Sequence, residues 1–92
     1  MAITVKIPTQ LRDAAGGAAS TSVEAGTVGE ALEALYTEHG ELRGRLSDDD
    51  GGLRRFVNVY LGGEDIRFLE GLATPGPDGS EVTILPAVAG GS

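Results

Sequence analysis

Thr27-Val28-Gly29-Glu30-Ala31-Leu32-Glu33-Ala34-Leu35-Tyr36-Thr37-Glu38-His39-Gly40 is the stretch on which the fold turns. Val28, Ala31, Leu32 and Leu35 recur at helical spacing, while Glu30, Glu33 and Glu38 lie elsewhere on the wheel. Thr27 followed three residues later by Glu30 reads as a capping box, oxygen and carboxylate each satisfying a backbone N–H at the helix start. Gly40 is placed to end the helix. On the N-terminal side, Ala2-Ile3-Thr4-Val5-Lys6-Ile7 alternates with period two and stops at Pro8, as a half-buried strand does. The chain then turns between Leu11 and Gly17, and Ser20–Glu24 is a weaker, polar strand suited to an edge.

On the C-terminal side, Leu42 and Leu46 suggest one more short turn before the solvated loop Ser47-Asp48-Asp49-Asp50-Gly51-Gly52. Arg54–Leu61 is a strong strand, with Val57, Val59 and Leu61 on one face and Phe56, Asn58 and Tyr60 on the other. Gly62-Gly63 turns the chain into a short strand, Glu64–Phe68, and Thr74-Pro75-Gly76-Pro77-Asp78-Gly79 is dense in turn residues. Glu81–Leu85 is the last strand. Two strands, a helix, then further strands give an α+β domain, a mixed four- to five-stranded sheet with one main helix packed on one face. The first and last strands are the most apolar, which places both centrally, and that arrangement is a β-grasp, the ubiquitin-like fold. Residues 1–86 form the domain and 87–92 a flexible C-terminal tail.

Composition narrows the function. The chain has 92 residues, no cysteine, and 14 acidic against 7 basic side chains, for a net charge of −7. One small domain without thiols holds no zinc–thiolate site, iron–sulfur cluster or cysteine nucleophile. The acidic balance argues against nucleic acid, which demands concentrated Lys and Arg, and favours a basic protein partner. No apolar run approaches a membrane span and the N-terminus lacks a signal-peptide pattern, so the expected compartment is the cytoplasm. His39 is read as a cation complementing a helix end rather than a catalyst. Asp48-Asp49-Asp50-Gly51-Gly52 lacks the alternating ligands and terminal Glu of a calcium loop. No phosphate-binding loop or nucleophile elbow is present. The expectation is no enzyme, no metal and no bound cofactor.

The tail is the feature left over. Of four Gly-Gly pairs, only Gly90-Gly91 follows a buried-type strand and a run of small residues, one position from the end. Six extended residues span roughly 20 Å at about 3.3–3.6 Å each. Gly and Ala keep that segment thin enough for a narrow channel. Such a tail can carry a carboxylate into another protein's active site, where adenylation supplies the leaving group that a free carboxylate lacks.

Several segments together resemble the ThiS/MoaD family of ubiquitin-like sulfur carriers, and within it the CysO-type branch. They are Val5-Lys6-Ile7-Pro8-Thr9, Arg55-Phe56-Val57-Asn58-Val59-Tyr60, Gly63-Glu64-Asp65-Ile66-Arg67-Phe68 and, above all, Val82-Thr83-Ile84-Leu85-Pro86-Ala87-Val88-Ala89-Gly90-Gly91. The resemblance implies that an E1-like, MoeB-type enzyme adenylates the Gly91 carboxylate with ATP. A sulfur donor then makes the thiocarboxylate, which passes to a PLP-dependent cysteine synthase or another biosynthetic synthase. Ala87, Val88, Ala89 and Gly90 would thread the partner's active site. The family also docks through the sheet face away from the helix, which by alternation carries Phe56, Tyr60 and Leu85, continued by Pro86, with Glu64 and Asp65 as an acidic rim.

One departure from the family pattern is Ser92, which follows the Gly-Gly that active carriers end on. It is a cloning scar, a native residue that a JAMM-type metalloprotease would remove, or the mark of a homologue that no longer carries sulfur. Three other readings stand beside the sulfur carrier: a ubiquitin-like modifier forming isopeptide conjugates through Gly91, a small subunit of molybdopterin synthase, and a plain interaction module whose activity survives removal of residues 90–92.

Overall fold

The computed structural model describes residues 2–48, 52–54 and 57–86, the last of these by its backbone. Five strands form one mixed sheet: β1 (Ala2–Lys6), β2 (Ser20–Glu24), β3 (Val57–Leu61), β4 (Glu64–Asp65) and β5 (Ser80–Pro86), in the order β2-β1-β5-β3-β4. β1 pairs antiparallel with β2 and parallel with β5, while β3 pairs antiparallel with both β5 and β4. The two apolar strands from opposite ends of the chain therefore lie inside the sheet, and the polar β2 takes an edge, as its composition requires.

Two helices cover one face, α1 (Val28–Glu38) and α2 (Gly40–Leu46). Ile3 and Val5 of β1, Val57 and Val59 of β3, and Val82 and Ile84 of β5 point toward them and are buried. They meet Val28, Ala31, Leu32 and Leu35 of α1 and Leu42 and Leu46 of α2 in one core. Burying a side chain of this size contributes about 1.5–3 kcal/mol relative to leaving it exposed, so this interface dominates the fold's stability.

Thr27 caps α1, its Oγ1 accepting the Glu30 N–H at 3.1 Å. The reciprocal carboxylate reaches one residue further upstream than expected, Glu30 Oε1 accepting the Gly26 N–H at 2.8 Å. Gly40 does not end the helix. α1 stops at Glu38 because His39 leaves helical geometry (φ −132°, ψ 78°), and Gly40 opens the seven-residue α2 in place of a single short turn. Leu42 and Leu46 drive that second helix, since both are fully covered. Arg43 ties the two helices, donating to Glu33 at 2.8 Å and lying 4.9 Å above the Tyr36 ring. Burial pushes the Tyr36 hydroxyl up to about 12, with Glu33 adding to it and Arg43 opposing.

Two further segments depart from the sequence reading. Thr9–Ala15 is a 3-10 helix, burying Leu11, Ala14 and Ala15 rather than turning freely. The strand expected over Glu64–Phe68 lasts only two residues, and Ile66–Phe68 winds into a 3-10 turn. A local side-chain cap competes with the ladder there, because Asp65 Oδ1 accepts the Arg67 N–H at 2.9 Å.

Candidate functional site

The open face of the sheet is built by the alternate residues of the strands that make the core. In β5, Val82 and Ile84 point inward, so Leu85 points outward and is 46% exposed. In β3, Val57 and Val59 point inward, leaving Asn58 and Tyr60 partly exposed on the other side. The register places Leu85 opposite Asn58 and Thr83 opposite Tyr60. Tyr60 and Leu85 are thus diagonal neighbours, within reach of each other across adjacent strands. On the far flank Thr83 is opposite Lys6, whose ammonium lies 3.5 Å from Glu81 in an exposed pair that adds little stability.

Pro86 ends the ladder opposite Val57. Lacking an N–H, proline accepts but cannot donate in the ladder at this position. Of the docking residues expected from sequence, Tyr60 and Leu85 share one face as foreseen, and the Pro86 backbone adjoins them. Phe56 and the tail residues Ala87, Val88, Ala89, Gly90, Gly91 and Ser92 lie outside the described residues.

The acidic rim requires correction. Glu64 is exposed, but Asp65 is almost covered and fully engaged. Arg67 embraces its carboxylate, Nη2 donating to Oδ2 at 2.8 Å and Nε lying 3.2 and 3.3 Å from the two oxygens. These hydrogen bonds, with that from the Arg67 backbone N–H, hold the Asp65 carboxyl below its ordinary pKa. Asp65 therefore positions the 3-10 turn and offers no free charge to a partner. Alternation missed this lock; the legible signal was an Asp two residues before an Arg, one residue past a Gly-Gly turn.

No group of three or more His, Cys, Asp or Glu among the described residues is arranged to hold a metal. A recess of about 290 Å³ lies between β3 and the crossover, lined by Leu53, Arg54, Val57, Val59, Ile66 and Leu72 among others. Its two arginines are already committed, Arg54 to the Gly44 carbonyl and Arg67 to Asp65. No helix among the described residues is long and apolar enough to cross a membrane.

The open side of the sheet is thus a partly apolar face that reaches Pro86, the last described residue. The family model described as the ThiS family matches residues 5–91. The chain belongs to the ThiS family. It is 48% identical to the sulfur carrier protein CysO of Mycobacterium tuberculosis, over 99% of this chain and all of that one. Among solved structures it is similar to one described as the Amycolatopsis orientalis BexX/CysO complex. That likeness has a TM-score of 0.89 and 44% identity, covering 97% of this chain and 99% of the other. It is also similar to SAMP1 of Haloferax volcanii, with TM-score 0.86 and 32% identity over 99% and 100% of the chains. The chain shares the β-grasp, ubiquitin-like fold with these neighbours; the mycobacterial relative is named a sulfur carrier protein and SAMP1 a small archaeal modifier protein.

Proposed function

We propose that the chain is a sulfur carrier that works through the carboxylate of Gly91. An E1-like, MoeB-type adenylyltransferase docks on the Tyr60–Leu85 face, together with Phe56 and Pro86, and takes Ala87–Gly90 into its active site. The Gly91 carboxylate attacks the α-phosphorus of ATP and pyrophosphate leaves. Hydrosulfide then attacks the acyl carbon, AMP leaves, and the thiocarboxylate remains. ATP is a substrate of the partner, and the carrier binds no cofactor of its own. The thiocarboxylate passes its sulfur to a PLP-dependent cysteine synthase or another biosynthetic synthase in the cytoplasm. Ser92, where present, is first removed by a JAMM-type metalloprotease, because adenylation needs the Gly91 carboxylate free.

The observation that carries this reading is the full-length similarity to CysO, which extends through the family match to Gly91 itself. The experiment is intact-protein mass spectrometry on untagged protein from its own host. A species ending at Gly91 with one oxygen replaced by sulfur is the expected result. A chain ending at Gly91 that stays unmodified with ATP, sulfide and the host's activating enzyme refutes it.

The likeness to SAMP1, a small archaeal modifier protein, favours a second reading: a modifier joined to lysines of other proteins through the same Gly91. Isopeptide conjugates recovered from the host, in place of a thiocarboxylate, would establish it. A small subunit of molybdopterin synthase would instead co-purify with a large catalytic subunit.

A further inference from the structure

Phe68 is 82% exposed, far more than any other large apolar side chain among the described residues, and Leu69 beside it is 37% exposed. An aromatic ring carries a large apolar area, so leaving one in water forgoes stability that burial would supply. The ring nevertheless stands on a fixed base. Ile66, two residues before it, is buried to 2% exposure and roots the turn in the core. Asp65 caps the turn and clamps Arg67, and the Leu69 N–H closes it on the Ile66 carbonyl at 3.0 Å. A prominence held this way gives up little backbone freedom on binding.

Charge selects the occupant. Glu64 and Glu70, on either side of the prominence, are exposed and appear in no ion pair among the described residues. The adjacent cation, Arg67, is neutralised by Asp65. A second copy of a chain with net charge −7 is a poor partner for this edge; a basic surface suits it. Position adds a further constraint. β4 runs antiparallel to β3, back toward the end of the sheet where Pro86 pairs with Val57 and the tail begins. Tyr60 of the open face pairs with Asp65, so the β4 edge adjoins that face directly.

We propose that Phe68 and Leu69, rimmed by Glu64 and Glu70, form a second docking element that seats in a basic-rimmed apolar socket on the enzyme activating the tail. This rests on the carrier reading above. The test is ATP–pyrophosphate exchange by the purified E1-like enzyme of the same genome, with the carrier ending at Gly91 as varied substrate. Phe68→Ala raises KM roughly tenfold or more with kcat within about twofold, as expected for an aromatic anchor. Phe68→Leu recovers part of that loss. The double variant Glu64→Lys, Glu70→Lys raises KM at low salt and flattens its salt dependence. An unchanged KM for Phe68→Ala, or a loss confined to kcat, overturns the docking element while the carrier reading stands. Undiminished salt dependence in the double variant overturns the basic rim. No exchange with the unsubstituted carrier refutes the carrier reading and this element with it.

Discussion

Ile84 and Leu85 are adjacent in β5 and of equal size, yet the sheet gives them opposite duties. Ile84 is 1% exposed and Leu85 46% exposed. Replacing either by Ala removes three carbons, worth about 0.8 kcal/mol each when fully buried. For Ile84 that is ~2.4 kcal/mol, and the cavity left between sheet and helices brings the expected loss to about 3–4 kcal/mol. For Leu85 roughly half the transfer term applies and solvent fills the gap, so the loss is at most ~1.2 kcal/mol. In a domain of this size 1 kcal/mol moves Tm by about 4–8 °C. Ile84→Ala therefore lowers Tm by at least ~12 °C, and Leu85→Ala by a third of its neighbour's shift. Urea unfolding of both variants, followed by circular dichroism, measures the difference directly. In the exchange assay the pattern reverses: Leu85→Ala raises the carrier's KM, while Ile84→Ala, below its lowered Tm, does not. Equal stability losses would show the strand phase to be wrong. A normal KM for Leu85→Ala would remove that face from docking.

Tyr60→Ala is expected to leave unfolding cooperative while raising KM for the activating enzyme; a variant that fails to fold would mean Tyr60 belongs to the core. Gly76→Ala places a Cβ 2.6 Å from Cδ1 of the fully buried Ile3, a clash costing about 1–3 kcal/mol in urea unfolding. An unchanged midpoint would show that the first strand can shift to make room. The Asp65 carboxyl has a lower pKa folded than unfolded, so its contribution is present above the unfolded value near 4 and lost as pH falls through the folded one. The stability gap between the natural protein and Asp65→Asn should therefore be widest near neutrality and narrow below about pH 4. A gap independent of pH would refute the Arg67 clamp as its source.

The strands and main helix were legible because their patterns are long and agree with the tertiary arrangement: Ile3 and Val5 alternate, and Val28, Ala31, Leu32 and Leu35 recur on one helical face. The same alternation correctly sent Tyr60 and Leu85 to the open face. It failed where a local bond outcompeted the periodic signal. Ile66 and Phe68 alternate like a strand, but the Asp65 cap turns the chain after two residues. Gly40 reads as a stop, yet it begins a helix, because two buried leucines stabilise α2 more than glycine weakens it. Asp65 illustrates the remaining limit: charge counts every carboxylate, whereas only the fold reveals that Arg67 has already neutralised this one.

The strand that runs through the middle of the sheet follows the other four described strands in the sequence. Until residues 80–86 emerge, β1 lacks its inner neighbour and β3 has only the two-residue β4 beside it. The contacts that join β1 to β5 link distant parts of the sequence, Ile3 opposite Ser80 and Lys6 opposite Thr83. Without β5 the β1–β2 pair and the β3–β4 pair are not joined into one sheet. Tyr60 and Leu85 come to share one face only once β5 has paired with β3.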